Sequence, residues 1–165
     1  ATFTGMIIRK YESTLAVSIA LTAFIPMLMD TGGNASSQAS VTVIRGLALD
    51  ELEFKDIGKI LWKETRLSIL LGGTLSVACF IKLMAIDQLF RIPHGYIIAA
   101  AVCVTMFITI MVAKIIGGTL PLFAKLLKLD PAVVANPFIT TMVDAVSLII
   151  YCNVTILLLR PLGVL

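Results

Sequence analysis

The chain has 165 residues, of which 59% are hydrophobic and 14% charged, and its formal net charge is +3. Soluble domains have about 45–50% apolar and about 25% charged residues. The composition therefore excludes a water-soluble globular domain and predicts a chain surrounded by lipid. There is no GxGxxG or P-loop pattern, no Cys/His metal cluster and no basic block with interleaved aromatic residues. These absences argue against an enzyme that uses nucleotides and against a nucleic-acid partner.

The first apolar run begins at residue 13 and leads into a polar stretch, MDTGGNASSQAS, at residues 29–40. The segment is longer than one membrane crossing needs at about 1.5 Å per residue. We therefore predict one span over approximately residues 13–46 that is broken at residues 31–34. Irregular backbone at that depth is tolerated only where it is buried in protein or lines a water-filled cavity, so we expect the polar stretch to belong to a pore wall.

The candidate pore-lining residues of this span combine oxygen atoms with two glycines. Pro26 lacks an N–H and so frees the carbonyl of Thr22, four residues earlier, although a simple kink is the alternative. Asp30 is either an interfacial carboxylate or a charge that collects cations at the inner end of the pore. The glycines would supply the bend, or a close approach that a Cβ would block. The candidates are Thr22, Pro26, Asp30, Gly32, Gly33, Asn34 and Gln38.

The rest of the chain contains three more apolar runs and one amphipathic segment. Residues 65–86, 95–118 and 135–159 are each near the roughly 20 residues that cross hydrocarbon. The segment at approximately residues 50–63 has an apolar face and many charges, which predicts an interfacial helix along the membrane surface. Open strands cannot cross lipid. The predicted fold class is therefore an all-α, polytopic membrane helical bundle that forms a single transmembrane domain over residues 1–165.

The distribution of basic residues predicts the orientation. The connections at residues 45–64 and 119–133 contain more Lys and Arg than the loop at residues 87–94. The positive-inside rule then places the first two connections in the cytoplasm, and the loop and the C-terminus outside. We expect a multi-pass integral protein of the plasma (inner) membrane. Because the chain begins with hydrophobic segments already in progress, we also expect it to be part of a longer protein.

The last apolar run contains a polar stripe. Asn136, Thr140 and Asp144 follow one another at four-residue spacing, and Ser147 and Tyr151 continue the stripe within an arc of about 80°. A central Asp costs about 2.5–3.5 kcal/mol on translocon scales, so Asp144 should face a partner or water. The stripe offers only oxygen and amide ligands, which favours a hard cation such as Mg²⁺ or Ca²⁺.

Three interpretations of Asp144 remain open at this stage. Intramembrane carboxylates usually mark a cation or proton pathway, and we take this as the leading interpretation. A structural ion pair with Lys114 or Lys82 is the second. The third is a hydrogen-bonding role that joins two helices.

Two sequence motifs resemble those of a known family of magnesium transporters and channels. IPMLMDTGGNASSQASVTVIRGLAL resembles the GGN-containing signature that closes the second transmembrane helix of the MgtE family. LKLDPAVVANPFITTMVDAVSLIIYC resembles the fifth helix of that family, with its Asp-Pro-Ala opening and a Thr-Thr-x-x-Asp in mid-membrane. The resemblance covers residues 12–160, with the two motifs in the family's order.

This resemblance implies the five-helix MgtE pore domain, with the first helix largely missing, and a homodimer with one pore between its subunits. The pore carboxylate corresponds to Asp144, and Asn136 and Thr140 correspond to neighbouring metal-binding positions; we add Ser147, from the same stripe, as a pore-lining candidate. The family's cytoplasmic N-domain and CBS pair, which carry its regulation, are absent from these residues.

The implied function is passive, channel-like transport of Mg²⁺ and related divalent cations across the lipid bilayer, without enzyme activity. The ion is expected to keep its water, because Mg²⁺ dehydrates reluctantly. Mg²⁺ is therefore the transported ion rather than a resident cofactor. Two alternatives stay open: a secondary exchanger that couples Mg²⁺ to Na⁺ or H⁺, and a membrane scaffold that transports nothing.

Overall fold

A computed structural model describes residues 2–11, 19–85, 91 and 95–162, and only the backbone at residues 2, 3, 19, 20 and 134–136. These residues form six α-helices and two short 3₁₀ segments, at Phe54–Asp56 and Arg160–Leu162. They contain no strand, which confirms the predicted all-α class. The helices are α1 (Thr2–Lys10), α2 (Ile19–Ala23), α3 (Ile25–Ala48), α4 (Ile57–Ala85), α5 (Gly95–Leu126) and α6 (Pro131–Leu159).

Three of the described segments are long and apolar enough to cross a membrane: Phe54–Ala85, Gly95–Leu126 and Pro137–Leu159. They correspond to the second, third and fourth predicted runs and support the membrane-bundle architecture. The first residues of the predicted span at 13–46 lie outside the described residues, as does the loop at 87–94 apart from Arg91.

Helix α5 lies at the centre of the bundle. It packs against α3, α4 and α6, while α3 also packs against α6, and α1 contacts α6. Of the three candidate spans, α5 is the most apolar and the most buried. A helix that is apolar on every side is expected in such a central position, because it has no polar face to direct towards water.

Helix α3 is continuous from Ile25 to Ala48, so the predicted break at residues 31–34 is wrong. A glycine keeps its N–H, so it continues the helical hydrogen-bond ladder even though it favours a helix less than alanine does. The interruption lies at Phe24, between α2 and α3, and Pro26 occupies the first turn of the new helix. Proline is tolerated there because that N–H has no intrahelical partner.

The predicted interfacial helix at residues 50–63 is also corrected. A 3₁₀ turn at Phe54–Asp56 leads directly into α4, which begins at Ile57 and continues through the predicted second span. No proline interrupts the sequence between these two parts. The amphipathic pattern arises because Ile60 packs against Val43 and Leu122 from α3 and α5, while the opposite face stays exposed.

A close approach between two helices joins the backbones of α3 and α5. A Cβ built on Gly117 would overlap the carbonyl group of Ser36, and Ser36 and Gly117 are both buried. Small residues at such positions let helix backbones approach within a membrane, where packing contacts drive association. Gly117 therefore sets the distance between α3 and α5.

We predict that Gly117→Ala destabilises the purified protein, because its new methyl group meets backbone that cannot rotate away. Overpacking of this kind costs about 1–3 kcal/mol. Gly73→Ala is the matched control: a Cβ there would meet nothing within 4 Å, and removing a glycine from a helix favours folding. Thermal unfolding in detergent measures both. Equal melting temperatures for the two variants would contradict the close contact.

Candidate functional site

The polar stripe of α6 divides into a buried part and a half-exposed part. At the buried end, the Tyr151 hydroxyl donates a hydrogen bond of 2.8 Å to the carbonyl oxygen of Leu21. Ser147, which is 1% exposed, donates to the carbonyl oxygen of Val143 at 2.6 Å. Both side chains are enclosed within the subunit. The burial of Ser147 does not favour a place in the wall of a pore between two subunits, and its assignment as a pore-lining residue stays a prediction.

Gly32 lies opposite this buried part of the stripe. A Cβ built on it would lie 2.8 Å from Thr109 Cγ2 and 2.9 Å from both Ser147 Oγ and Val143 Cγ1. In the single chain its role is therefore close packing between α3 and its two neighbours, and its assignment to a pore wall stays a prediction. Gly33 differs, because a Cβ there would meet nothing within 4 Å. The expected close approach is thus at Gly32 and not at Gly33.

Asp144 and Thr140 form the half-exposed part of the stripe. At about 100° per residue they share a sector of α6 with Tyr151, but the bundle covers that sector less completely at their level. Thr140 donates a hydrogen bond of 3.2 Å to the carbonyl oxygen of Pro137. Asp144 is the only charged residue within Pro137–Leu159. The side chain of Asn136, the third predicted ligand, lies outside the described residues.

The ion pairs considered for Asp144 do not occur. Lys114 is 5% exposed, and its Nζ lies 3.5 Å from Oε2 of Glu64, which is 2% exposed. No hydrogen bond or ion pair to Asp144, from Lys82 or any other residue, is present in the part of the chain that the structure describes. The structural ion-pair interpretation of this carboxylate is therefore wrong.

Four of the candidates on α3 form an exposed row. Pro26, Asp30, Asn34 and Gln38 follow at four-residue spacing and are all exposed. Asn34 Nδ2 donates a hydrogen bond of 3.1 Å to Asp30 Oδ2. Thr22 is also exposed, on α2. These residues, with the half-exposed Gly33, stay candidates for a pore wall.

The contacts between α3 and α6 place the two polar regions at a common depth. Leu21 of α2 meets Tyr151, and eleven residues later Gly32 of α3 meets Val143 and Ser147, so the α2–α3 segment runs antiparallel to α6. Asp144 directly follows Val143 and therefore lies near the level of Gly32. The Asp30–Asn34 pair spans the same level on the exposed side of α3.

The described residues contain no group of three or more His, Cys, Asp or Glu side chains that could hold a metal ion. A single carboxylate cannot replace the six ligands of Mg²⁺, which usually keeps several waters when few protein oxygens are available. Within one chain, Asp144 and Thr140 can thus hydrogen-bond the waters of an ion but cannot enclose it.

The buried Glu64–Lys114 pair was missed in the sequence, where Glu64 was not singled out and Lys114 was considered only as a partner of Asp144. The signal that could have found it is a row at four-residue spacing, Ile60, Glu64, Ser68 and Gly72, in which a carboxylate lies among small and apolar residues. All four are buried. Glu64 Oε2 has no hydrogen-bond partner within the described residues.

Comparison with known proteins identifies the family. The model of the MgtE family, described as a divalent cation transporter, matches residues 25–154. The chain belongs to the MgtE family. The resemblance predicted from the two motifs is thereby confirmed.

Three curated MgtE relatives, each named "Magnesium transporter MgtE", match most of the chain. The relative from Thermus thermophilus is 33% identical over 95% of this chain, and that from Bacillus subtilis is 33% identical over 91%. The relative from Enterococcus faecalis is 30% identical over 95% of the chain. The chain spans about a third of the length of these MgtE proteins, at 33%, 32% and 33% respectively.

We predict that Glu64→Gln destabilises the protein strongly, because it leaves the Lys114 ammonium buried without a counter-charge. Removing one partner of a buried ion pair costs about 3–5 kcal/mol, whereas replacing both by apolar side chains of similar size is often neutral. The double variant Glu64→Met/Lys114→Met should therefore melt at a higher temperature than either single variant. Lys55→Gln, which removes an exposed pair with Glu53, is the control and should melt like the wild type. A double variant that loses as much stability as the two single variants together would argue against a buried pair.

Proposed function

We propose that this chain forms the membrane pore of a magnesium transporter, as a homodimer in which Asp144 of each subunit faces one path for the ion. The proposal rests first on membership of the MgtE family and on relatives named as magnesium transporters. The chain matches only part of those relatives, so the transported ion is assigned to this chain as our inference.

The observation that carries the proposal is the environment of Asp144. Its carboxylate is the only charge in an apolar span, is half-exposed, and has no partner among the described residues. A carboxylate facing lipid in this state would be costly, so it requires water, a cation or a second subunit beside it. A pore between two subunits supplies all three.

A second subunit also accounts for the neighbouring surface of α6. Phe138, Thr141, Met142 and Ala145 line an open, mostly apolar cavity of about 430 Å³ next to Asp144. Phe138 and Met142 are exposed in the single chain. We infer that packing of a second copy covers part of this face and brings two Asp144 carboxylates towards one axis, where together they supply two negative charges.

The ion is inferred to pass with its water. Mg²⁺ prefers oxygen ligands, loses water reluctantly and is commonly bound through one or two carboxylates. Asp144 and Thr140 would accept hydrogen bonds from the ion's waters. Asn136, one turn earlier, is proposed to do the same on the basis of its position in the sequence alone. The polar row of α3 would form the opposite wall.

We propose passive movement driven by the membrane potential, in the plasma membrane, with the α3–α4 connection in the cytoplasm and the C-terminus outside. No nucleotide-binding motif is present that would couple transport to ATP. In the full protein, cytoplasmic regulatory domains outside these residues would control opening. A potential of 100 mV is worth about 2.3 kcal/mol for each charge that crosses, so a dication needs no further energy source.

We predict that Asp144→Asn reduces Mg²⁺ flux into liposomes by about tenfold or more. Hydrogen bonds to a charged group are worth about 1.5–3 kcal/mol, and ~1.4 kcal/mol corresponds to a factor of ten. Asp50→Asn, at a fully exposed turn outside the spans, is the matched control and should transport like the wild type. Wild-type flux through folded Asp144→Asn protein would eliminate the proposed site. A dependence of flux on an imposed Na⁺ or pH gradient would indicate an exchanger instead.

The hydrated-ion mechanism predicts that cobalt hexaammine blocks Mg²⁺ flux in the wild type. This complex has bound ammonia where hydrated Mg²⁺ has water, and it exchanges its ligands very slowly. Block should weaken in Asp144→Asn, because the charge that attracts the complex is lost. Titration of the inhibition in both proteins is the measurement. If the wild type transports Mg²⁺ but ignores the complex, the ion must shed water and bind protein directly.

A further inference from the structure

The first turns of α4 carry an exposed face that the transport mechanism does not use. Lys59, Trp62, Lys63 and Arg66 are all exposed and fall within an arc of about 100°. We call this surface the α4 basic face. It lies on the side of α4 opposite the buried Glu64, so it is not part of the packing between α4 and α5.

Two of the three cations on this face lack acidic partners. Lys59 Nζ lies 2.8 Å from Asp56 Oδ1 and is therefore neutralised locally. Lys63 and Arg66 make no ion pair with any residue that the structure describes. Two neighbouring positive charges beside an exposed indole leave an unmet attraction for a negatively charged group.

The position of the face along α4 indicates what that group is. The residues from Leu67 to Ile81 carry no charge, and Lys82 follows them. Arg66 and Lys82 are thus separated by about 24 Å of helix at about 1.5 Å per residue, close to the thickness of the hydrocarbon layer once their long side chains extend outwards. The α4 basic face therefore lies at the depth of the lipid headgroups.

The same side of α4 continues into apolar residues that a lipid chain would contact. Leu70, Val77 and Ile81 are 69%, 62% and 61% exposed. Trp62, at 67% exposed, lies among the basic residues, one turn before Arg66 on the side away from the apolar zone, and tryptophan is enriched at this interfacial level of membrane proteins. A phospholipid has the matching layout, with a phosphate at one depth and acyl chains below it.

We propose that the α4 basic face binds the headgroup of an anionic phospholipid. Lys63 and Arg66 donate hydrogen bonds to its phosphate oxygens, and the indole of Trp62 packs beside the headgroup. Guanidinium and ammonium groups are the usual protein donors to phosphate. A zwitterionic lipid offers the same phosphate but carries its own positive charge, so the face discriminates by net charge.

Trp62 is the only tryptophan in the chain and so reports on its own lipid contacts. The experiment measures its fluorescence in vesicles that contain brominated phosphatidylglycerol or, at equal mole fraction, brominated phosphatidylcholine. Bromine quenches only nearby indoles. Each cation near an anionic surface is worth about a fivefold enrichment, and Lys63 and Arg66 both lack an acidic partner among the described residues. We therefore expect quenching to indicate about 25-fold preference for phosphatidylglycerol in the wild type.

The double variant Lys63→Gln/Arg66→Gln should lose this preference, while its quenching by brominated phosphatidylcholine stays at the wild-type level and shows that Trp62 remains at the membrane. Lys55→Gln removes a nearby cation that Glu53 already neutralises, at 2.8 Å, and should keep the full preference. The proposal is supported only if the double variant keeps wild-type quenching by brominated phosphatidylcholine and loses its preference for phosphatidylglycerol.

A measurement on the wild type alone guards against a variant that does not fold. Raising the salt concentration should reduce the preference for phosphatidylglycerol, because exposed charges are screened. Equal quenching by the two lipids in the wild type at low salt overturns the proposal. So does a preference that survives in the folded double variant. No ion flux is read in these experiments, so they test the lipid site independently of the proposed pore.

Discussion

The bundle depends on the backbone contact between α3 and α5 at Ser36 and Gly117. Lipid offers little hydrophobic force to bring helices together, so close packing has to supply the association. With α5 fixed against α3, α6 closes on both through Gly32, which admits side chains from both helices where a larger residue would not. The exposed polar row of α3 and the half-exposed carboxylate of α6 reach one depth as a result of this packing.

Whether a polar side chain is buried in the bundle depends on whether it finds a hydrogen-bond acceptor or an opposite charge there. Ser147 and Tyr151 are buried because each hydroxyl has a backbone carbonyl to receive its proton. Glu64 and Lys114 are buried because each neutralises the other, although such a pair contributes little net stability once desolvation is counted. Within the described residues Asp144 has neither arrangement, and its carboxylate stays half-exposed in an apolar span. Its position is the one a site for a passing cation requires, since a permanent partner would compete with the ion.

Much of the fold could be predicted from the sequence, because apolar runs of spanning length admit few structures in lipid. The α6 stripe, and Asp144 and Thr140 within it, followed from helical spacing. The break at residues 31–34 was wrong because a GG pair signals either a bend or close packing, and only a partner helix decides between them. Helical spacing also could not show that Ser147 is buried while Thr140 is half-exposed, because both lie on the same stripe of α6. The difference arises from how far α2 and α3 cover that stripe at each level.

The two surfaces that a single subunit leaves open differ in chemistry, and this difference assigns them to different neighbours. The face of α6 beside Asp144 is apolar around a single carboxylate, and lipid would leave that charge without a partner. A second protein surface is the neighbour that can both cover the apolar residues and face the charge. The α4 basic face instead carries its charges at headgroup depth, and the residues next to it along α4 are suited to acyl chains. A lipid can therefore pair with the charges through its phosphate and cover the apolar residues with its chains. In the arrangement we propose, the bundle presents α6 to another subunit and α4 to the membrane, and the ion path lies at the subunit interface, away from lipid.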